Sequence, residues 1–249
     1  MSGGCGKPDA APPTGPKAAA SSEQSLSGPL TIFAAASLAG ALTDFKSQLT
    51  KTNPQLQITY SFSGSQILVA QIMNGAPADL VATADETSMR DLVGKGLVET
   101  PRIFASNKLA IITGKGNPHH IRGLDDLSRR DLRIILADPS VPAGRYARLA
   151  LAKKGLEVRP DSLELDVKSE VQKVASGEAD AAIVYRTDVL AAGSAVTGVA
   201  IPDDQNVIVR YHAAVISAGA NQQRATNLLS LLLGSPGRKT LKKAGFGNP

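Results

Sequence analysis

Aromatic residues, cysteine and long apolar runs are all scarce in this sequence of 249 residues. Aromatic residues make up 4% of the chain and tryptophan is absent, which argues against surfaces that stack nucleic-acid bases or sugar rings. The core must therefore be built from alanine, leucine, valine and isoleucine. No apolar run reaches the length of about 18 residues that a membrane-spanning helix requires.

The single cysteine, Cys5, excludes an internal disulfide framework and a cysteine metal cluster. It lies in a segment of small residues and prolines, residues 1–28, which is typical of a flexible tether. The stretch "GGC" resembles the end of a bacterial lipoprotein processing site, in which the cysteine carries the lipid. We therefore expect lipidation at Cys5 and an apolar signal segment ahead of it in the full gene.

The chain has a formal net charge of +5 and a pI of about 9.3. A basic balance suits nucleic acid, an anionic surface or anionic ligands. The densest basic cluster, however, has no accompanying nucleic-acid-binding motif, and we expect a solvated helix face and no nucleic-acid partner. The cluster consists of Arg238, Lys239, Lys242 and Lys243.

From Pro29 onward, candidate strands alternate with segments of helical periodicity. The predicted strands are residues 30–34, 57–62, 79–84, 108–113, 132–137, 180–185 and 207–217. Predicted helices lie between them, and residues 221–244 are predicted to be helical with a break at Ser235-Pro236. This pattern predicts an α/β protein with mostly parallel sheets. About nine strands suit two small sheets, with the chain crossing between them more than once.

Several predicted helices begin directly after a strand, at the edge where α/β proteins bind their ligands. The first turn of a helix has N–H groups without an intrahelical partner and a partial positive charge. Several such turns aimed at one point make an anion site that needs no charged side chain. Ser37 and Ser65 stand at two of these starts, where a serine most often only caps the helix. The alanines before Ser37 additionally allow a ligand to approach the backbone.

Four stretches, "LTIFAAASL", "NGAPADLVATAD", "DPSVPAGRYA" and "AAIVYRTD", resemble in their order the signatures of the periplasmic molybdate-binding proteins. The resemblance runs from about residue 29 to the "AGFG" near the C-terminus. It implies a two-lobed type II periplasmic-binding-protein fold, each lobe a mostly parallel sheet flanked by helices. We expect lobe 1 to comprise residues 29–112 and 210–249, and lobe 2 to comprise residues 113–209.

The same resemblance implies that five positions bind a tetrahedral oxyanion. They are Ser37, through its hydroxyl and N–H; Ser65; Ala143 and Val167, each through its N–H; and Tyr185, through its hydroxyl. The chain has Ser63-Gly64-Ser65 where the family often has a run of serines, which leaves open how the neighbours of Ser65 contribute. None of the five positions carries a carboxylate, so we expect fully deprotonated oxyanions to be preferred over hydrogen phosphate.

The resulting interpretation is a binding protein, not an enzyme. It captures molybdate, and tungstate as well, outside the cytoplasmic membrane and delivers the anion to the permease of an ABC importer. We expect a monomer, a lipid anchor at Cys5 and no cofactor. One alternative is a receptor for sulfate or another oxyanion. The other is an α/β hydrolase or transferase acting on a phosphorylated substrate, which would need a nucleophile or a base in the cleft.

Three further features are assigned no chemistry. "TGKGNP" lacks the third glycine of a dinucleotide-binding loop. Asp79 and Asp138 stand at predicted turns, where we expect them to accept backbone hydrogen bonds rather than act as an acid–base pair. The histidines have no metal-ligand spacing with acidic partners, and we expect no metal cation site. They are His119, His120 and His212.

Overall fold

A computed structural model describes residues 1–4 and 26–249 of the chain. Cys5 and most of the proposed tether lie outside the described residues. None of the helices in the described ranges combines the length and the apolar composition that crossing a bilayer requires.

Nine strands and eight α-helices follow one another along residues 28–243. The strands are β1 (Gly28–Ala35), β2 (Leu56–Ser63), β3 (Leu80–Thr83), β4 (Arg102–Gly114), β5 (Ile134–Ala137), β6 (Ser162–Glu164), β7 (Ala181–Tyr185), β8 (Val196–Ala200) and β9 (Ile208–Val215). The helices are α1 (Ala39–Thr52), α2 (Ser65–Met73), α3 (Glu86–Gly94), α4 (Pro142–Lys153), α5 (Val167–Ser176), α6 (Arg186–Ala192), α7 (Gln222–Leu233) and α8 (Ser235–Lys243).

Three segments of the structure were not predicted. Strands β6 and β8 and the first half of β4 fall in stretches that were assigned no structure. The segment "LDDLSRR", predicted as a short helix, forms a 3₁₀ helix over Leu124–Ser128.

The basic cluster lies on α8, where its four side chains are exposed, so the predicted solvated helix face is confirmed.

The first sheet has the strand order β2-β1-β3-β9-β4. Strand β1 pairs in parallel with β2 and β3, whereas β9 is antiparallel to both β3 and β4. Strands β1, β2, β3 and β4 therefore run in one direction and β9 alone runs in the other. Since parallel strands need long crossovers, helices connect them and cover the faces of the sheet.

The second sheet has the order β4-β7-β5-β6, and β8 pairs with the other side of β4. Strand β5 is parallel to β6 and β7, while β4 is antiparallel to β7 and β8. Here four strands share a direction and β4 opposes them. Each sheet is thus mostly parallel, as predicted.

Strand β4 belongs to both sheets. Its residues 102–108 pair with β9 and its residues 109–114 pair with β7 and β8. The chain crosses from one sheet to the other within β4 and returns by way of β9. Strand β4 changes its pairing partner between residues 108 and 109. The lobe boundaries between residues 112 and 113 and between 209 and 210 remain a prediction.

The core is aliphatic, as the composition requires. Central strands are buried along their whole length, such as β3, β5 and β7, because helices cover both faces of the sheets. The few aromatic side chains are concentrated: Tyr211 packs edge-on against three other aromatic rings, with centroid distances of 5.2 to 6.2 Å. These rings are Phe104, Tyr185 and Phe246.

Candidate functional site

All five positions that the sequence singled out border one cavity. About 230 Å³ of space that no protein atom fills, part of it open to solvent, lies between them. Ser37, Ser65, Ala143, Val167 and Tyr185 all belong to its lining. Their role in ligand binding stays a prediction, but their proximity is a property of the fold.

Each of the five residues stands where a strand ends and a helix begins. Ser37 lies in the 3₁₀ turn that joins β1 to α1, and Ser65 opens α2 after β2. Ala143 is the second residue of α4, Val167 opens α5, and Tyr185 ends β7 directly before α6. Two of these helix starts follow strands of the first sheet and three follow strands of the second. The positive ends of the helices therefore face the same space from both sides.

The hydroxyl oxygens of Ser37 and Ser65 each have a hydrogen-bond partner within the protein. The Ser65 hydroxyl oxygen accepts a hydrogen bond from the Ala84 N–H at 3.0 Å, and that of Ser37 is 3.0 Å from the Tyr211 hydroxyl. Neither serine caps its helix with its side chain. Since a hydroxyl has one proton and two acceptor lone pairs, an oxygen that accepts from within the protein keeps its proton for another partner.

Tyr185 presents a buried hydroxyl without a protein partner. The residue is 1% exposed, and within residues 1–4 and 26–249 nothing forms a hydrogen bond with its phenolic oxygen. Burial raises the pKa of Tyr185 well above its ordinary value, so the hydroxyl stays protonated and can donate. Its N–H donates to Asp188 at 3.3 Å, and Asp188 is paired with Lys168 at 2.8 Å, which fixes the start of α6.

At the start of α5, the N–H of Val167 does not take part in the N-cap. The Asp166 carboxylate accepts from the N–H groups of Lys168 and Ser169 at 2.8 and 3.0 Å, but it does not accept from that of Val167. The first N–H of the helix therefore remains available at the cavity.

Asp166 also brings a carboxylate into the lining of the cavity, which the sequence reasoning did not anticipate. Both its oxygens are occupied by α5: one accepts the two N–H groups, and the other lies 3.3 Å from the Ser169 hydroxyl. A carboxylate capping a helix start is stabilised by the helix dipole, and its hydrogen bonds to α5 compete with any hydrogen bond to a ligand.

Two glycines allow the chain segments around the cavity to approach one another. Gly64 precedes α2. A Cβ at this position would lie 2.7 Å from the carbonyl oxygen of Leu165, which stands between β6 and α5. A Cβ at Gly144 would overlap the carbonyl oxygens of Ala137 and Asp138, so only glycine lets α4 start this close to the end of β5.

Two contacts join the walls of the cleft directly. Arg145 of α4 forms a salt bridge with Asp85, which also caps α3 through the Ser88 N–H. The Gln66 side-chain amide donates to the Leu165 carbonyl at 3.1 Å. Asp85 follows β3 of the first sheet and Arg145 lies on α4 after β5 of the second sheet, so separating the two walls would break this pair.

Glu170 is a buried acid one turn after Val167. It is 0% exposed, and neither carboxyl oxygen has a hydrogen-bond partner in the described part of the chain. Burial first, and then the neighbouring Asp188 carboxylate, raise the pKa of Glu170 well above its ordinary value. A protonated Glu170 adds no negative charge near the helix start that faces the cavity.

The acidic residues at turns behave as expected. Asp79 accepts from the N–H groups of Thr31 and Asn221 at 2.8 and 3.2 Å, and Asp138 accepts from that of Ser140 at 2.8 Å. Among the described residues no group of three or more histidine, cysteine, aspartate or glutamate side chains is arranged to hold a metal ion.

Asp85, Arg145 and Asp166 are the residues that the sequence reasoning missed. Asp85 and Asp166 each stand directly before a predicted helix with a serine three residues later, a pattern typical of an N-cap that could have been noticed. Nothing in the sequence pairs Arg145 with a residue 60 positions away.

Comparisons with known proteins agree with this architecture. The sequence profile of the bacterial extracellular solute-binding proteins matches residues 30–247. The molybdate-binding protein ModA of Mycobacterium tuberculosis is 35% identical over 221 residues, which are 88% of this chain and 85% of that protein.

Solved structures share the fold. The periplasmic molybdate-binding protein of Azotobacter vinelandii has a TM-score of 0.79 at 22% identity and covers 88% of this chain and 99% of its own. The sulfate-binding protein SubI from Mycobacterium tuberculosis H37Rv also has a TM-score of 0.79, at 20% identity, covering 88% of this chain and 86% of its own. The predicted two-lobed periplasmic-binding-protein fold is thereby confirmed. The chain belongs to the bacterial extracellular solute-binding proteins, in the molybdate-binding protein family, whose members are binding components of transporters and not enzymes.

Proposed function

We propose that this protein captures molybdate between its two lobes, accepts tungstate in the same way, and delivers the anion to the permease of an ABC importer. The observation that carries the proposal is the convergence of five helix starts, with three hydroxyls and several free N–H groups, on one small cavity. Molybdate at neutral pH is a tetrahedral dianion that bears acceptor oxygens and no proton.

The donor set favours an anion without protons. The Ser65 oxygen already accepts from Ala84, Tyr185 is held in its protonated form, and the Val167 N–H can only donate. Hydrogen phosphate needs one acceptor for its proton. Asp166 is the acidic residue among those that line the cavity, and both its oxygens already accept hydrogen bonds from α5. A buried hydroxyl of phosphate without an acceptor costs about 1–3 kcal/mol, which supports selection against phosphate.

The number of donors is sufficient for tight binding. A hydrogen bond to a charged group contributes about 1.5–3 kcal/mol, so five give on the order of 8–15 kcal/mol before the costs of closure and desolvation. A dissociation constant of 1 μM corresponds to about 8 kcal/mol. At the upper end of this range, submicromolar binding remains after those costs without a positive side chain at the anion.

Sulfate is the second candidate ligand, because the sulfate-binding protein SubI matches this fold as closely as the Azotobacter molybdate-binding protein does. Sulfate is also a tetrahedral dianion without protons, and donor chemistry alone does not separate it from molybdate. The larger anion is favoured by the 35% identity with the mycobacterial molybdate-binding protein. Cavity size is the physical property that distinguishes the two anions.

Isothermal titration calorimetry with molybdate, tungstate, sulfate and phosphate tests the proposal. We expect submicromolar binding of molybdate and tungstate, weaker binding of sulfate, and phosphate binding that is measurable only at much higher concentrations than molybdate binding. Ser37→Ala is expected to weaken molybdate binding about 10- to 100-fold. Ser47→Ala, which changes an exposed serine on α1, is the matched control. Tight phosphate binding, or sulfate binding tighter than molybdate binding, contradicts the proposal.

We also propose that Cys5 carries a lipid that anchors the protein, as a monomer, to the outer face of the cytoplasmic membrane. The support is the lipoprotein-like sequence around Cys5, followed by a segment rich in proline, alanine, serine and glycine. Expressed from its full gene, the protein is expected in the membrane fraction, and the Cys5→Ser variant in the soluble fraction. Equal distribution of the two proteins argues against the anchor.

A further inference from the structure

A buried row of polar side chains lies behind Ser37. Asn107 of β4, Thr187 of α6 and Tyr211 of β9 are 4%, 4% and 0% exposed, and Ser37 is 7% exposed. The Asn107 amide nitrogen lies 2.9 Å from the Thr187 hydroxyl and 3.4 Å from the Tyr211 hydroxyl, which in turn lies 3.0 Å from the Ser37 hydroxyl. The row joins both crossing strands to the cavity.

The orientation of the Asn107 amide follows from its surroundings. One of its terminal atoms faces the N–H of Lys108 at 2.9 Å, and a backbone N–H can only donate. That terminal atom must therefore be the oxygen, and the nitrogen must face Thr187 and Tyr211. Asn107 is accordingly a donor to the Tyr211 hydroxyl, although this contact is the longer of its two.

The Tyr211 hydroxyl has two hydrogen-bond partners, Asn107 and Ser37, and only one of them can accept its proton. Asn107 presents a nitrogen that donates, so only the Ser37 oxygen can accept. If Ser37 instead donated to Tyr211, the Tyr211 proton would be buried without a partner, which costs about 1–3 kcal/mol. Donation consequently runs from Asn107 to Tyr211 and from Tyr211 to Ser37, and the Ser37 proton is left to point into the cavity.

We propose that Tyr211, oriented by Asn107, is a specificity-determining positioning residue that makes Ser37 an obligate hydrogen-bond donor to the bound anion. A serine hydroxyl ordinarily donates or accepts according to its partner. Held by Tyr211, Ser37 has one of its two lone pairs occupied, and its own proton has no acceptor in the described part of the chain, so that proton must be donated to the ligand. The site thus disfavours oxyanions whose own proton needs an acceptor and favours those that carry no proton. This inference rests on the proposed function, because it assigns the donor polarity of that same site.

The Tyr211 ring is held firmly enough for this role. Phe104, Tyr185 and Phe246 contact it edge-on, with centroids 6.2, 6.0 and 5.2 Å away. The Tyr211→Phe variant keeps these ring contacts and removes only the hydroxyl. Tyr60→Phe is a matched control, since the Tyr60 hydroxyl also forms a 3.0 Å hydrogen bond, to the Leu42 carbonyl, and is outside the cavity lining.

The test is a double-mutant cycle on anion affinity, measured by calorimetry with molybdate and with phosphate above the second pKa of phosphate, where both are dianions. Tyr211→Phe is expected to weaken molybdate binding about 3- to 10-fold and not to weaken phosphate binding, so that the ratio of the two affinities falls. In the Ser37→Ala background Tyr211→Phe should have no effect on molybdate, and Tyr60→Phe should change neither affinity.

The inference is overturned if Tyr211→Phe weakens molybdate and phosphate binding equally, or weakens molybdate binding as much in the Ser37→Ala background as in the wild type. Either result indicates a merely structural role for Tyr211. If Tyr211→Phe fails to fold, Asn107→Asp replaces it: the oxygen that accepts from Lys108 is kept, the donor to Tyr211 is lost, and the molybdate-to-phosphate ratio should again fall. An unchanged ratio contradicts the inference.

Failure of the proposed function and failure of the positioning role of Tyr211 give different results. Wild-type protein that binds no tetrahedral oxyanion refutes the proposed function, and the positioning role with it. If the wild-type protein binds molybdate, and Ser37→Ala weakens this binding but Tyr211→Phe does not, only the positioning role of Tyr211 is refuted.

Discussion

Replacing Tyr185 by phenylalanine should move protein stability and ligand affinity in opposite directions. The Tyr185 hydroxyl is buried and has no partner in the described part of the chain. In the ligand-free closed protein it is a desolvated donor without an acceptor. When an oxyanion binds, the same hydroxyl gains a charged acceptor. Tyr185→Phe removes both the desolvation cost of the hydroxyl and its hydrogen bond to the anion. The ring stays in contact with Tyr211.

The two effects can be estimated separately. A buried unsatisfied hydroxyl costs about 1–3 kcal/mol, so its removal should stabilise the ligand-free protein by up to this amount. For a chain of this size, 1 kcal/mol corresponds to a change in Tm of about 2–4 °C. A hydrogen bond to a charged acceptor contributes about 1.5–3 kcal/mol, and its loss should weaken molybdate binding about 10- to 150-fold.

Differential scanning calorimetry without ligand and titration calorimetry with molybdate measure the two effects on the same preparations. Tyr60→Phe is again the control, because the Tyr60 hydroxyl donates to the Leu42 carbonyl. Its removal should lower the Tm and leave the affinity unchanged. The reasoning is refuted if Tyr185→Phe lowers the ligand-free Tm as Tyr60→Phe does, or if molybdate affinity is unaffected.

Three further perturbations follow from the contacts around the cleft. Arg145→Ala breaks the salt bridge with Asp85, which forms only when the walls meet. It should weaken molybdate binding about 10-fold or more and enlarge the ligand-bound radius of gyration in X-ray scattering; an unchanged radius argues against a latch. Gly64→Ala places a Cβ 2.7 Å from the Leu165 carbonyl oxygen. It should prevent full closure and so weaken molybdate binding; wild-type affinity would exclude this close approach as a requirement. Glu170 has a raised pKa in the folded chain, so its contribution to stability is present at acid pH and is lost as pH rises above its ordinary value of 4.5. Glu170→Gln should therefore stabilise the protein more at alkaline than at acid pH in thermal melts, and a pH-independent effect contradicts the raised pKa.

Much of the fold could be predicted because its strands and helices have strong local patterns. The apolar run of β1 ends in small residues, and the helical periodicity of α1 begins at once. Strands β6 and β8 were missed for physical reasons. Strand β6 has three residues, fewer than a period-2 pattern needs, and β8 contains Gly198 in a sequence of mixed polarity.

The candidate site could be predicted only in part. The five lining positions carry a local signal, because each stands at a strand-to-helix junction, and Ser37, Ala143 and Tyr185 also lie within the stretches that carry the family resemblance. Their partners carry none, since Ser37 and Tyr211 are 174 positions apart and Asp85 and Arg145 are 60 apart. Alternation within β9 predicts that Tyr211 is buried, but the partner of its hydroxyl depends on the crossing of β4 and β9 between the two sheets.

The concentration of aromatic rings next to the cavity has an optical consequence. The chain has four tyrosines and no tryptophan, so its ultraviolet emission comes from tyrosine alone. Two of the four, Tyr185 and Tyr211, stand edge-on beside the candidate anion site. Their fluorescence is sensitive to the hydrogen bonding of the phenol group, so occupancy of the cavity can be followed in the unlabelled protein, without a dye or an introduced chromophore.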